Sequence, residues 1–194
     1  MSDIDKNIDF FFERPNIWIE GREEFSNLYL LRRDIYQCFG FNPTSGNKID
    51  YSVLWPGTMS VLAGIDLLSK YYYGQDDLGC VGDRFRGYIK EYFSINEDDA
   101  KIIYQLRNSL LHSFGLYSYK IIDKKRMGFF FAVYENGGKL VSKIKENSYG
   151  IDIITLWKVF EKSILLYYCD LRNDDKLKKN FGKMFPFYSI TIIG

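Results

Sequence analysis

From Arg22 onward apolar residues recur at spacings of three and four along most of the chain, and between Leu116 and Ile144 that period gives way to short aromatic and alternating runs. A 3.6-residue period buries one face of a helix, and a two-residue period buries one face of a sheet. The pattern therefore predicts helices packed on one another with a small β insertion. From Arg22 to Phe39, the positions Phe25, Leu28, Leu31, Ile35 and Phe39 mark a first helix, stopped by Gly40. The turn-rich "GFNPTSGNKID" leads into "WPGTMSVLAGIDLLSKYYYG", with Pro56 near the start and Gly74 at the end. Its nearly all-apolar middle suits a helix at the centre of a bundle. "VGDRFRGYIKEYF" places Val81, Phe85, Tyr88, Ile89 and Tyr92 on one side of a third helix. A fourth opens on Asn96 as N-cap, with Glu97, Asp98 and Asp99 in its first turn. The helix dipole favours anions there, so those acids need no catalytic explanation.

Beyond Gly115, "LYSYKII", "FFFAVYE" and "KLVSKI", separated by "DKKRMG" and "NGG", read as an antiparallel β-meander over residues 116–145. A long fifth helix follows through Ile154, Trp157, Phe160, Ile164 and Tyr168, and "FPFYSITIIG" reads as a last strand. Residues 1–21 contain "FFF" without a clear period and are expected to form an N-terminal arm that packs its aromatics. Without an internal repeat or linker, residues 1–194 are expected to form one mainly α domain: an up-and-down bundle of about five helices with a small antiparallel β-meander insertion.

Composition narrows the function classes. Lys+Arg at 26 against Asp+Glu at 25 leaves a net charge of +1, so no global basic field draws the chain onto polyanions, and nucleic-acid contact must be local. Cys38, Cys80 and Cys169 are scattered and odd in number, with no CxxC pair and one histidine in the chain. That argues against a disulfide framework or a zinc site, and the cysteines are expected to be reduced, buried thiols. No cofactor is expected. "MSDIDKNIDF" is acidic where a signal peptide is basic, and no apolar run approaches a membrane span, so the expectation is a cytoplasmic protein without a membrane partner.

The one histidine, His112, lies in "LRNSLLHSFG". With Ile103 at zero and about 100° per residue, Leu106, Leu110 and Phe114 fall within about 60° and form the core stripe. Arg107 then sits on the flank at about 40°, Asn108 at about 140° and His112 at about 180°. His112 thus points away from its own core. Asn108 and His112, four apart, share a face that Arg107 can reach. Tyr104 and Leu111, at about 100° and 80°, lie beside them as if a second molecule covered that flank. An imidazole that exchanges protons near neutral pH, a guanidinium that grips phosphate and an orienting amide together suit phosphate chemistry.

"RNSLLH" resembles the R-x4-6-H motif of HEPN domains, including the Asn after the Arg, and the resemblance extends over Trp55 to Phe114. It implies a HEPN-like bundle that forms a homodimer with its motif helices face to face and acts as a metal-independent endoribonuclease, in a toxin or antiphage role, with RNA as substrate and an antitoxin or regulatory protein as a further partner. By that likeness His112 activates a ribose 2′-OH, Arg107 stabilises the charged phosphorane, Asn108 completes the site, and the product ends in a 2′,3′-cyclic phosphate. One histidine per chain does not readily serve as base and acid in one step, whereas two across a dimer do. The chain departs from the family in two ways. Phe114 stands where silenced HEPN toxins carry a modified Tyr, and the β-meander has no counterpart in the minimal bundle. The alternative keeps the fold and dimer as a non-catalytic binding module for RNA, nucleotide or protein.

Further candidates are weaker. Asp66, an acid in an otherwise apolar helix, is expected to pair with Arg84 or Arg107, more as a packing ion pair than as a catalyst. "KLKKNFGKMFPF" interleaves Lys176, Lys178, Lys179 and Lys183 with aromatics, the composition of a single-strand contact surface. Favourable placement of cations at the end of a helix explains those lysines without a ligand, and that reading leads over the contact surface.

Overall fold

The computed structural model describes residues 2–15, 22–42, 45–48, 52–120, 125–133 and 138–192. In chain order these form α1 (Asp3–Phe11), β1 (Glu24–Ser26), α2 (Asn27–Cys38), α3 (Leu54–Tyr73), a 3-10 turn (Leu78–Cys80), α4 (Val81–Tyr92) and α5 (Glu97–Ser113). Strands β2 (Tyr117–Lys120), β3 (Lys125–Ala132), β4 (Val141–Lys145) and β5 (Ser148–Asp152) follow, then α6 (Ile153–Asn173), α7 (Asp175–Tyr188) and β6 (Ile190–Ile192). The chain is mainly helical with small sheets.

Side-chain acceptors satisfy free N–H groups at five helix starts: Ser2, Ser26, Asn96, Asp152 and Asp174 cap α1, α2, α5, α6 and α7. Ser2 and Asp5 form a reciprocal capping box. Helix α3 lacks such a cap and ends on Gly74, whose φ of 65° lies in the left-handed region. It is the central helix, contacting α2, α4, α5, α6 and α7. Gly64 allows α6 to approach closely, since a Cβ there would stand 2.5 Å from the Phe160 ring. One cluster of buried apolar side chains runs from Ile8 on α1 to Phe181 on α7 and takes in Phe129, Val141 and Ile151 from the sheet.

Several expectations are corrected. Among the described residues there are seven α-helices rather than about five. The N-terminal arm is helical over Asp3–Phe11, with Ile8 and Phe11 fully buried; residues 1 and 16–21 lie outside the described residues. The first predicted helix starts later, at Asn27, because Glu24–Ser26 pair antiparallel with Ile190–Ile192. The insertion is not an antiparallel meander. Its strand order is β2-β3-β5-β4, with β3 and β5 parallel from Gly128↔Ser148 to Ala132↔Asp152, so the sheet is mixed and runs on to Asp152. Turn "NGG" lies partly outside the described residues, as does the end of "LYSYKII", while Lys125–Gly128 of the other expected turn belongs to β3. The lysine-rich segment is a helix of its own, α7, and only the end of "FPFYSITIIG" is a strand. The cysteines are free but not buried, and Cys169 is exposed. Among the described residues no helix is long and apolar enough to cross a membrane.

Candidate functional site

The Asn96 cap sets the start of α5, and the helix then buries Ile103, Leu106 and Leu110 against the bundle. His112 falls on the opposite, exposed side, as its phase predicts. Arg107 leaves the flank of α5 and crosses to α3, where Nη2 donates to Asp66 Oδ2 at 2.7 Å. Its Nη1 donates to Asn108 Oδ1 at 3.1 Å and lies 2.8 Å from His112 Nε2. A guanidinium only donates, so Nε2 accepts, and in this arrangement the neutral imidazole keeps its proton on Nδ1. The four residues Asp66, Arg107, Asn108 and His112 therefore form one connected polar chain. Its inner end is largely withdrawn from water, with the Arg107 and Asp66 side chains 11% and 17% exposed. Asp66 Oδ1 and Arg107 Nε find no hydrogen-bond partner among the described residues.

The end of α5 shapes the space around His112. Phe114 adopts a φ of 45°, and the Gly115 N–H donates back to the Ser109 carbonyl. The buried Ser109 hydroxyl lies 2.6 Å from the Gly115 carbonyl and 2.8 Å from that of Tyr117, which brings β2 back beside the helix. Ser118 Oγ then donates to Gln105 Oε1 at 2.7 Å. The result is a shallow groove of about 450 Å³ with Asn108 and His112 on the helix side, Tyr117 and Ser118 on the strand side and Tyr104 at one end.

Phe114 is not part of the core stripe. The left-handed terminus turns it out of the helical phase, leaving it 69% exposed with its ring against Trp55. Tyr104 is partly covered by its own chain, packing on Phe85 and under the Arg86 guanidinium. Of the two partners considered for Asp66, Arg107 takes the place. Arg84 is buried elsewhere, donating to Asp76 Oδ1 at 3.2 Å and to the Asp77 carbonyl at 2.9 Å. Asp76 also accepts from Lys70 at 3.0 Å and from the Tyr188 hydroxyl. Burial alone would raise its carboxyl, but the hydrogen bonds from Tyr188 and Lys70 and the nearby cations outweigh that and hold it below the usual carboxylate value. Lys178 and Lys179 lie early on α7, where the dipole does not favour cations. Lys178 pairs with Asp5 at 3.6 Å and Lys179 is exposed, and neither lines the His112 groove.

The sequence carries no signal for Gln105, Tyr117 and Ser118 as site residues, because their place depends on the return of β2 alongside α5. Among the described residues no three His, Cys, Asp or Glu side chains group as metal ligands. Comparison with family models, curated proteins and solved structures gave no match.

Proposed function

We propose that the protein is a HEPN-like, metal-independent endoribonuclease whose working unit is a homodimer with the two α5 helices face to face. The observation that carries this reading is the Arg107 to His112 contact at 2.8 Å, anchored from behind by Asp66. It supports the reading because a guanidinium, suited to gripping phosphate, lies directly behind an imidazole, suited to proton transfer, and that imidazole lines an open groove.

In the resting arrangement the lone pair of His112 Nε2 is engaged by Arg107. A phosphodiester entering the groove offers Arg107 Nη1 a charged acceptor in place of the imidazole, which frees Nε2. His112 then takes the proton of the ribose 2′-OH while that oxygen bonds to the adjacent phosphorus, with Arg107 stabilising the charge gathered on the phosphorane. The bond to the 5′-oxygen breaks, and the departing oxygen takes a proton from the His112 of the facing protomer, which enters the step as an imidazolium protonated from solvent and released from its Arg107 contact. The products are a 2′,3′-cyclic phosphate and a 5′-hydroxyl. Asn108 holds the Arg107 donor in plane. A nuclease of this kind suits a toxin or antiphage role and calls for a restraining protein partner.

Cleavage of a mixed RNA pool in EDTA by wild type, His112→Ala and His112→Gln tests the reading, with product ends assayed for cyclic phosphate. Wild-type cleavage with cyclic ends and inactivity of both variants is expected. One observation favours the second reading, a non-catalytic binding module. Asp66 neutralises Arg107, and among the described residues that line the groove there is no lysine or arginine. On that reading wild type cleaves nothing and His112→Gln still binds its ligand.

A further inference from the structure

A second groove, of about 620 Å³, lies between α5 and the sheet and meets the His112 groove at Tyr104, which lines both. The Ser118 to Gln105 hydrogen bond also links their linings. Its lining includes the buried apolar side chains Ile102, Met127 and Val141. Its two rims differ in charge. On the α5 side, Asp98 faces Lys101 at 3.7 Å and Asp99 accepts from Asn96, while Arg86 is tied to Asp83 at 2.6 Å. On the sheet side, Lys139 and Lys143 are exposed and form no ion pair among the described residues. At the His112 end, Tyr117 is 69% exposed; one part of its ring lies over Gly128, where a Cβ would be 3.4 Å away.

We infer that this second groove is the track for a single RNA strand leaving the His112 site. Its phosphates lie along the sheet rim on Lys139 and Lys143, a base stacks on Tyr117, and the remaining bases turn toward the apolar floor. A duplex keeps its bases paired inside and cannot use such a floor, whereas a single strand presents phosphates on one side and ring faces on the other. From His112 to Tyr104 is eight residues of α5, about 12 Å along the helix axis, so the two grooves are close enough for one continuous strand. The inference rests on the proposed nuclease reading for the polarity of the track, and it gives the sheet insertion a function: it builds the outer wall of the substrate path.

The test is binding of a fluorescently labelled single-stranded RNA, and of a hairpin duplex of the same length, to the full chain carrying His112→Ala, measured across a salt series. Added to that background, Lys139→Glu with Lys143→Glu is expected to weaken single-strand binding at least tenfold. Loss of two phosphate contacts should also lower the slope of log affinity against log salt by about 1.4, at about 0.7 per contact. Lys158→Glu with Lys162→Glu makes the same change in net charge on exposed positions of α6 outside the groove, and is expected to leave binding within about twofold. Equal weakening by both pairs, no weakening by either, duplex bound as tightly as single strand, or no RNA binding by the His112→Ala chain overturns the inference. Lysine-dependent binding without wild-type cleavage keeps the track and removes the nuclease. Cleavage with lysine-independent binding does the reverse.

Discussion

At the residue scale, Arg107 joins a structural role to the chemical one proposed for it. One guanidinium nitrogen donates to Asp66 Oδ2 and another serves Asn108 and His112, a span that a lysine ammonium cannot reproduce. Arg107→Ala leaves the Asp66 carboxylate largely buried without its cation and is expected to destabilise the fold by about 2–3 kcal/mol in a denaturant titration. Asp66→Asn added to that variant should recover part of the loss. His112→Ala, at an exposed position, should change stability by less than about 0.5 kcal/mol and, on the proposed reading, abolish cleavage. Equal destabilisation by Arg107→Ala and His112→Ala would refute this division of roles. Much of the arrangement was legible in the sequence: helical phase alone put His112 outside the core, and an acid in an apolar helix demanded a cation. Phase could not choose between Arg84 and Arg107 for Asp66, because that choice depends on which helix packs beside α3 at that level. It also misplaced Phe114, because periodicity carries no sign of the residue at which a helix turns left-handed.

At the element scale, the helices with clear period and caps were legible and those defined by partners were not. Gly74 and Asn96 bound their helices as the sequence predicts, since caps are local chemistry. Helix α1 is not legible in the sequence because its period is short and part of its burial comes from α7, at the far end of the chain. Packing at two helical glycines leads to opposite predictions. Gly64 faces Phe160, which is fully buried and has no room to yield, so Gly64→Ala should destabilise by about 1–3 kcal/mol. Gly87 faces the hydroxyl end of Tyr73, a partly exposed side chain that can swing outward. Gly87→Ala should therefore be neutral or stabilising by up to about 0.8 kcal/mol through helix propensity. Thermal melts of the two variants check both signs. Asp76 supplies a pH-dependent link between α3, α4 and α7 through Lys70, Arg84 and Tyr188. Its folded-state carboxyl titrates below the unfolded one, so its contribution is present above about pH 4 and is lost as pH falls through the lower folded value. Over that acid range wild type should lose stability more steeply than Asp76→Asn. Parallel melting curves for the two would exclude the link.

At the scale of the whole molecule, what the sequence hid was long-range pairing. The β1–β6 contact joins residues near opposite ends of the chain, and the parallel β3–β5 register follows from where β4 returns rather than from any local alternation. The same kind of non-local geometry decides whether the site is complete in one chain. The described residues of a chain bring one imidazole to the groove, engaged by Arg107, while the proposed reaction takes one proton and gives another. If each working site draws base and acid from facing protomers, a dimer of one wild-type and one His112→Ala chain has no complete site. Wild-type protein diluted to dissociate, mixed with an equal amount of His112→Ala and reassembled should then keep about half the activity per wild-type chain, because about half of its dimers are mixed. If each chain holds a complete site, mixing leaves activity per wild-type chain unchanged, and face-to-face assembly loses its chemical reason. Light scattering on the same samples separates the second outcome from a failure to exchange, since a chain that is monomeric throughout cannot share a histidine at all.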